Sequence, residues 1–310
     1  MVDELHIEPA AVANELETFI RQAVEDLRRE GAIVGLSGGI DSAVTAALAV
    51  RTLGPERVLA LILPERDSAP ESKRFARRQA QGLGIRCQTM GLTKLLLLMG
   101  VYRQVPLWLL PTRRLKAKMM RRYYARYTEA LGEGETPFSV VMVGTRGVSG
   151  PWLNQAVAYH RVKVRLRMVL LYYYAELHNL LVLGTDNKTE LAVGFFVKHG
   201  DAAADANPLA LFYKTQVRAL AAHLEVPQEI IARPPSPDIL PGLTDEGAMQ
   251  MGYATLDRVL WRLERGMDVE AIALDLGLSQ ERVRYVQMLT RRAEHLRNSP
   301  IQCQPIAPKP

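Results

Sequence analysis

The residues best suited to chemistry in this chain are Ser37-Gly38-Gly39-Ile40-Asp41-Ser42, set between a short apolar run and an alanine-rich one. Two adjacent glycines let backbone approach a ligand closely, and a helix starting just after them directs its unpaired N–H groups and positive dipole end into the same space. Such a loop suits a polyphosphate. Ser37 and Ser42 can donate hydroxyl hydrogen bonds to phosphate oxygens, whereas a carboxylate beside phosphate needs a divalent cation between them, which makes Asp41 a magnesium candidate. A helix cap would use one polar residue, and this loop has three. It lacks the GK[ST] of a Walker loop and the GxGxxG of a dinucleotide fingerprint.

The flanking elements place this loop at the edge of a sheet. AIVGLS (32–37) reads as a buried strand and DSAVTAALAVRTLG (41–54) as a helix closed by Gly54 and Pro55. The pattern repeats as strand 57–64, helix 70–84 and strand 85–90, preceded by an amphipathic helix over 9–29. Alternation of this kind predicts a doubly wound α/β fold with a parallel sheet. Residues 99–150 break the rhythm and read as a basic insertion, with seven Lys or Arg and no acid between Pro111 and Arg126. Helix returns over 151–178, LLVLGT (180–185) is a fourth strand, 186–208 reads as loop, and 214–224 as helix. A C-terminal helical extension, 244–310, has helices over 244–264, 268–276 and 279–297. The whole chain reads as one domain.

Composition fits an ordinary globular protein: 48% hydrophobic residues, 23% charged, net charge +6. The positive balance suits an anionic ligand without choosing among nucleotides and RNA. Two cysteines, Cys87 and Cys303, with no CxxC pair, speak against a disulfide framework or a metal–thiolate site. No signal peptide or membrane-length apolar run is evident, which predicts a cytoplasmic protein with no membrane partner.

SGGIDS resembles the PP-loop of the N-type ATP pyrophosphatases, which include NAD synthetase, GMP synthetase, asparagine synthetase and tRNA-modifying enzymes. Further stretches, VRLRM (164–168), GTDNKTE (184–190), GFFVKHGD (194–201), DANPL (205–209), YKTQVRALA (213–221) and TDEGAMQMGYATLD (244–257), are similar to ammonia-dependent NAD synthetases in order and spacing. The resemblance implies an adenine nucleotide alpha hydrolase-like fold with C-terminal helices, and a homodimer. It implies ATP contacts at Gly35, Leu36, Ser37, Gly38, Gly39, Ile40, Asp41, Ser42, Thr185, Lys214 and Ser236, with Asp41 and Glu190 holding Mg2+. Deamido-NAD (nicotinic acid adenine dinucleotide) would meet Arg165, Lys198, Asp205 and His295. The implied reaction is amidation: the substrate carboxylate attacks the α phosphate of ATP, pyrophosphate leaves, and ammonia displaces AMP. Asp41 and Lys214 would be its catalytic groups. With no room for a glutamine amidase domain, ammonia would come from solution or a partner.

Read without the resemblance, these residues have plainer roles. Thr185 and Glu190 also suit a helix opening, and Arg161, Lys163, Arg165 and Arg167 suit a solvated basic face. Lys214 opens a helix, where the dipole disfavours a cation, so its placement asks for a function. The sequence departs from the family at Ala202 and Ala203, where glycines are usual, and at Leu296, where a lysine is usual. Two rivals follow: adenylation of another acceptor such as a tRNA base, and a helix-turn-helix DNA-binding regulator built on 269–292. Plain packing of Val283, Val286 and Leu289 competes with the regulator, and nucleic acid is not the expected partner.

Overall fold

The computed structural model describes residues 4–104, 112, 114–119, 122, 128–129, 136–143, 151–236 and 244–298. Helix α1 (Pro9–Asp26) leads to β1 (Gly31–Gly35), α2 (Ile40–Leu53), β2 (Val58–Ile62), α3 (Pro70–Gly82) and β3 (Arg86–Thr89). Next come α4 (Thr93–Leu98), α5 (Val101–Gln104), α6 (Pro137–Val143), α7 (Pro151–Leu177) and β4 (Leu180–Leu183). The remaining helices are α8 (Lys188–Val193), α9 (Lys214–His223), α10 (Gln228–Ile231), α11 (Asp245–Met249), α12 (Tyr253–Glu264), α13 (Val269–Leu276) and α14 (Gln280–Arg297). The strands form a parallel sheet in the order β3-β2-β1-β4.

Strands covered on both faces must be apolar throughout, and alternate residues then enter different cores. Ala32, Val34, Val58, Ala60 and Leu181 pack with Leu16, Ile20 and Val24 of α1, with α2, and with Val217 and Leu220 of α9. Ile33, Leu59, Leu61 and Val182 face the other way, against Met168, Leu171 and Ala175 of α7 and Leu96 of α4. The alanines of α2 are all but inaccessible, so small side chains let this helix lie close on the sheet. Strand order puts β1 between β2 and β4, so the turns following β1 and β4 open side by side. This is the edge where parallel sheets bind ligands.

A third apolar cluster joins α8 to α12, α13 and α14 and takes in Phe138 of α6. Val283, Val286 and Leu289 lie inside it, as the packing reading of the 269–292 pair expects. Gly194, at φ +78°, ends α8 where an added Cβ would come within 2.9 Å of the Ala293 Cβ on α14.

Two elements differ from the sequence reading. The segment 186–208 contains a short helix, α8, nucleated by an Asn187–Glu190 capping box. The helix over 244–264 is divided, because Gln250 adopts a left-handed conformation (φ +55°) and stops α11 before α12 begins at Tyr253. Of the 99–150 segment, α5 and α6 belong to the packed fold, while half of its basic stretch, 111–126, lies outside the described residues. So do 237–243, Cys303 and the proline-rich tail. Among the described residues no helix is long and apolar enough to cross a membrane.

Candidate active site

The loop between β1 and α2 is held by its own groups and by α3. Gly38 has φ +77°, and an added Cβ would stand 2.3 Å from the Ser72 carbonyl oxygen, so only glycine fits. Arg233 secures the turn by donating from Nη1 to the Gly38 carbonyl (3.1 Å) and from Nη2 to Ser72 Oγ (2.7 Å). Ser42 borders the cavity and also supports the loop. Its hydroxyl is buried and donates to the Gly39 carbonyl at 3.0 Å, closing the first turn of α2. Ser37 is exposed, accepts from the Gly39 N–H at 3.2 Å, and keeps its hydroxyl at the mouth of the loop.

Asp41, in the first turn of α2, meets residues from two other elements. Lys214 Nζ lies 2.6 Å from Asp41 Oδ2 and 3.0 Å from Glu190 Oε1. Asn187, fully buried at the cap of α8, closes the ring: its Nδ2 donates to Asp41 Oδ1 (3.0 Å) and its backbone N–H to Glu190 Oε2 (3.3 Å). Glu190 is therefore both the helix-opening residue and a charged partner in the site. The Lys214 side chain is 2% exposed, against 16% for Asp41 and 12% for Glu190, so the carboxylates face the cavity and the ammonium lies beneath them.

Electrostatics follow from this burial. Desolvation opposes charge on Lys214, but Asp41, Glu190 and Asp245 together raise its pKa and keep it protonated. Burial pushes Glu190 up to about 8, with Lys214 pulling down and Asp41 and Asp245 adding to the rise. Asp245 is likewise raised to about 6, chiefly by burial, while Tyr253 donates to its Oδ2 at 3.0 Å. Its Oδ1 is buried with no hydrogen-bond partner.

These groups line one cavity at the carboxyl edge of the sheet. Gly35, Leu36, Ser37, Gly39, Ile40, Asp41, Ser42, Thr185, Glu190, Lys214 and Ser236 all border it, so the implied nucleotide contacts other than Gly38 converge on one space. The sequence reading did not single out as site residues Asn187, Asp245, Arg233, His160 and Arg167. Asp245 and Arg167 lie in the family-like stretches TDEG and VRLRM, and the N-x-x-E cap of α8 was a signal for Asn187.

The four residues expected at the second substrate do not border this cavity. Exposed Arg165 donates from Nε and Nη2 to the Lys198 carbonyl, both at 3.2 Å, and Lys198 Nζ donates to the carbonyls of Asn298 (2.7 Å) and His295 (3.3 Å). His295 Nδ1 lies 2.6 Å from the Arg292 carbonyl oxygen. These three thus form one chain of contacts beside Val164 and Val197, which do border the cavity. Asp205 stands apart: its Oδ2 accepts from the Val182 N–H (2.9 Å) and its Oδ1 from Tyr172 (3.0 Å), so one oxygen serves β4 and the other ties the loop to α7. Leu296 packs against the C-terminal apolar cluster, and Ala203 against the α7 face of the sheet.

A family model for NAD synthase matches residues 12–130 and 148–300. The chain is 42% identical over 255 residues to an NH(3)-dependent NAD(+) synthetase of Coprothermobacter proteolyticus, covering 82% of this chain and 85% of that one. Identity to a protein of the same description from Methanocaldococcus jannaschii is 35% over 289 residues, covering 93% and 95%. Among solved structures, NMN synthetase from Francisella tularensis superposes with a TM-score of 0.69 at 26% identity, over 96% of this chain and 99% of that one. An NH3-dependent NAD synthetase from Campylobacter jejuni gives 0.65 at 22% identity, over 96% and 100%, a likeness of fold.

Proposed function

The chain belongs to the NAD synthase family, and from that premise we propose that its carboxyl-edge cavity uses ATP to amidate deamido-NAD with ammonia. The observation that carries this reading is the convergence of Asp41, Glu190 and Lys214 beside a glycine-built phosphate loop. The nicotinate carboxylate attacks the α phosphorus of ATP and expels pyrophosphate. Ammonia then attacks the acyl carbon of the adenylate, and AMP leaves. No protein nucleophile is needed, so the chain's work is positioning and charge stabilisation. The N–H groups opening α2 receive phosphate oxygens, and Lys214 offsets the negative charge gathering on the leaving pyrophosphate. Thr185 and Ser236 border the same space and complete the nucleotide contacts.

Asp41 and Glu190 would hold a magnesium ion. They come from two helix openings, border the same cavity and share Lys214 as an ion-pair partner, and the described residues form no group of three acid, histidine or cysteine donors. A site with two carboxylates suits an ion that keeps water and phosphate oxygens as its other ligands. When bound, magnesium would supply Lewis-acid neutralisation of the phosphates.

The second substrate reading rests on the chain formed by Arg165, Lys198 and His295, which continues into an outward apolar stripe. Val169, Tyr173 and Leu177 recur every four residues on α7 and are 61%, 58% and 59% exposed, with Leu98 of α4 and the following Met99 also uncovered. A homodimer closed over this stripe would bring Arg165 to a subunit boundary beside the cavity.

The test is an acceptor screen with ATP, magnesium and ammonium, following pyrophosphate and amide. Turnover is expected with deamido-NAD and not with nicotinic acid mononucleotide or tRNA, and Asp41→Ala should abolish it. Amide formed from the mononucleotide alone would reassign the acceptor, and full activity of the Asp41 variant would overturn the metal reading.

A further inference from the structure

Beneath the groups that face phosphate lies a second layer of polar contacts. Asp257, on α12, and Thr189, on α8, are fully buried. The Thr189 hydroxyl donates to Asp257 Oδ1 at 2.5 Å and accepts the backbone N–H of Lys214 at 3.0 Å. Asp257 Oδ2 accepts the next amide, that of Thr215, at 2.9 Å. One hydroxyl and one carboxylate thus take up two of the orphan N–H groups opening α9, whose own N-cap residue is Tyr213. The arrangement also answers the misplacement of a lysine at a helix start, because a carboxylate from α12 supplies the negative charge that this end favours.

The sequence neighbours give these bonds their consequence. Thr189 precedes Glu190 and Lys214 precedes Thr215, so the bonds lock the opening of α8 to that of α9. Glu190 Oε1 and Lys214 Nζ meet at 3.0 Å directly above. We propose that Asp257 and Thr189 are positioning residues: they fix Lys214 against Glu190 and Asp41 and so set ATP binding and adenylation, a role resting on the reading of the cavity given above. The C-terminal helix α12 then acts on the phosphate chemistry through the placement of Lys214.

The test uses full-length wild type, Thr189→Val, Thr189→Ser and Asp257→Asn. It compares kcat, KM for ATP and for deamido-NAD, directly titrated ATP affinity and the unfolding midpoint. Thr189→Val keeps size and loses the hydroxyl, and should lower kcat/KM for ATP on the order of 10–100-fold, as expected for misplaced groups at a phosphate site. The KM for deamido-NAD should stay near wild type, and Thr189→Ser should restore most of the loss. Wild-type ATP parameters in Thr189→Val, or a serine variant as impaired as valine, would overturn the proposal. So would equal losses on both substrates that simply follow the folded fraction. If Thr189→Val does not accumulate as folded protein, Asp257→Asn decides: its amide faces two donors, and unchanged ATP parameters there overturn the idea. A wild type that does not turn over deamido-NAD refutes the acceptor reading, and the ATP affinities then decide this one.

Discussion

Replacing Lys163 by methionine should cost stability and loosen the nucleotide cavity together. Lys163, on α7, is 0% exposed, with Nζ 3.0 Å from Glu65 Oε1 and 2.8 Å from Asp67 Oδ2, both carboxylates being equally inaccessible. Each retains other partners: Tyr102 donates to Glu65 Oε2 at 2.7 Å, and Arg66 and Tyr159 donate to Asp67. Burial alone would raise the Asp67 pKa, yet Lys163 leads the groups that bring it below the usual range. Methionine fills the volume but leaves two buried carboxylates without their shared cation. Breaking a buried pair in this way costs about 3–5 kcal/mol, and the remaining donors place the expected loss at about 3 kcal/mol. Urea unfolding at unchanged m value would measure it. Adding Glu65→Gln to Lys163→Met removes one stranded charge and should recover roughly 1–2 kcal/mol. The segment carrying both carboxylates borders the cavity through Leu63, Pro64 and Ser68, so the KM for ATP should rise in the single variant and fall back in the double. A loss under about 1 kcal/mol, or a double variant weaker than the single, would refute the account of Lys163 as the cation neutralising this pair.

Gly38→Ala forces a left-handed φ on alanine and drives its Cβ into the Ser72 carbonyl, so a cost of about 1–3 kcal/mol and a severe loss of ATP-dependent turnover are expected. An unfolding midpoint and ATP affinity equal to wild type would contradict the loop geometry. His160, also on α7, is lowered to about 3 by burial and by the nearby Arg161, Lys163 and Arg167. Its contribution to stability is complete above the unfolded value near 6.5 and is lost as pH falls toward 3, because only the unfolded chain takes up the proton in that window. Relative to wild type, His160→Gln should therefore gain roughly 1.5 kcal/mol between pH 6.5 and pH 5. Parallel stability curves for the two proteins would show that His160 titrates normally in the folded state.

What the sequence determined by itself was local. A glycine pair between an apolar run and an alanine-rich helix specifies a strand, a tight turn and a helix start, because backbone freedom and helix dipoles act within a few residues. The four strands and the SGGIDS cradle were legible for that reason. The short helix at Lys188–Val193 was not, since six residues give little periodicity, and its sign was only the Asn187–Glu190 cap. Loop chemistry chose Asp41 and resemblance added Glu190 and Lys214, but their union depends on strand order: β1 lies beside β4, so helix openings far apart in sequence face one cavity. Tertiary structure alone tied Asp205 to β4 and α7 and joined Arg165 to Lys198. It also placed Asp257 under Thr189 and Lys214. A hydrogen bond has one partner at one distance, and which donor meets which acceptor is decided when the packed helices fix their separation.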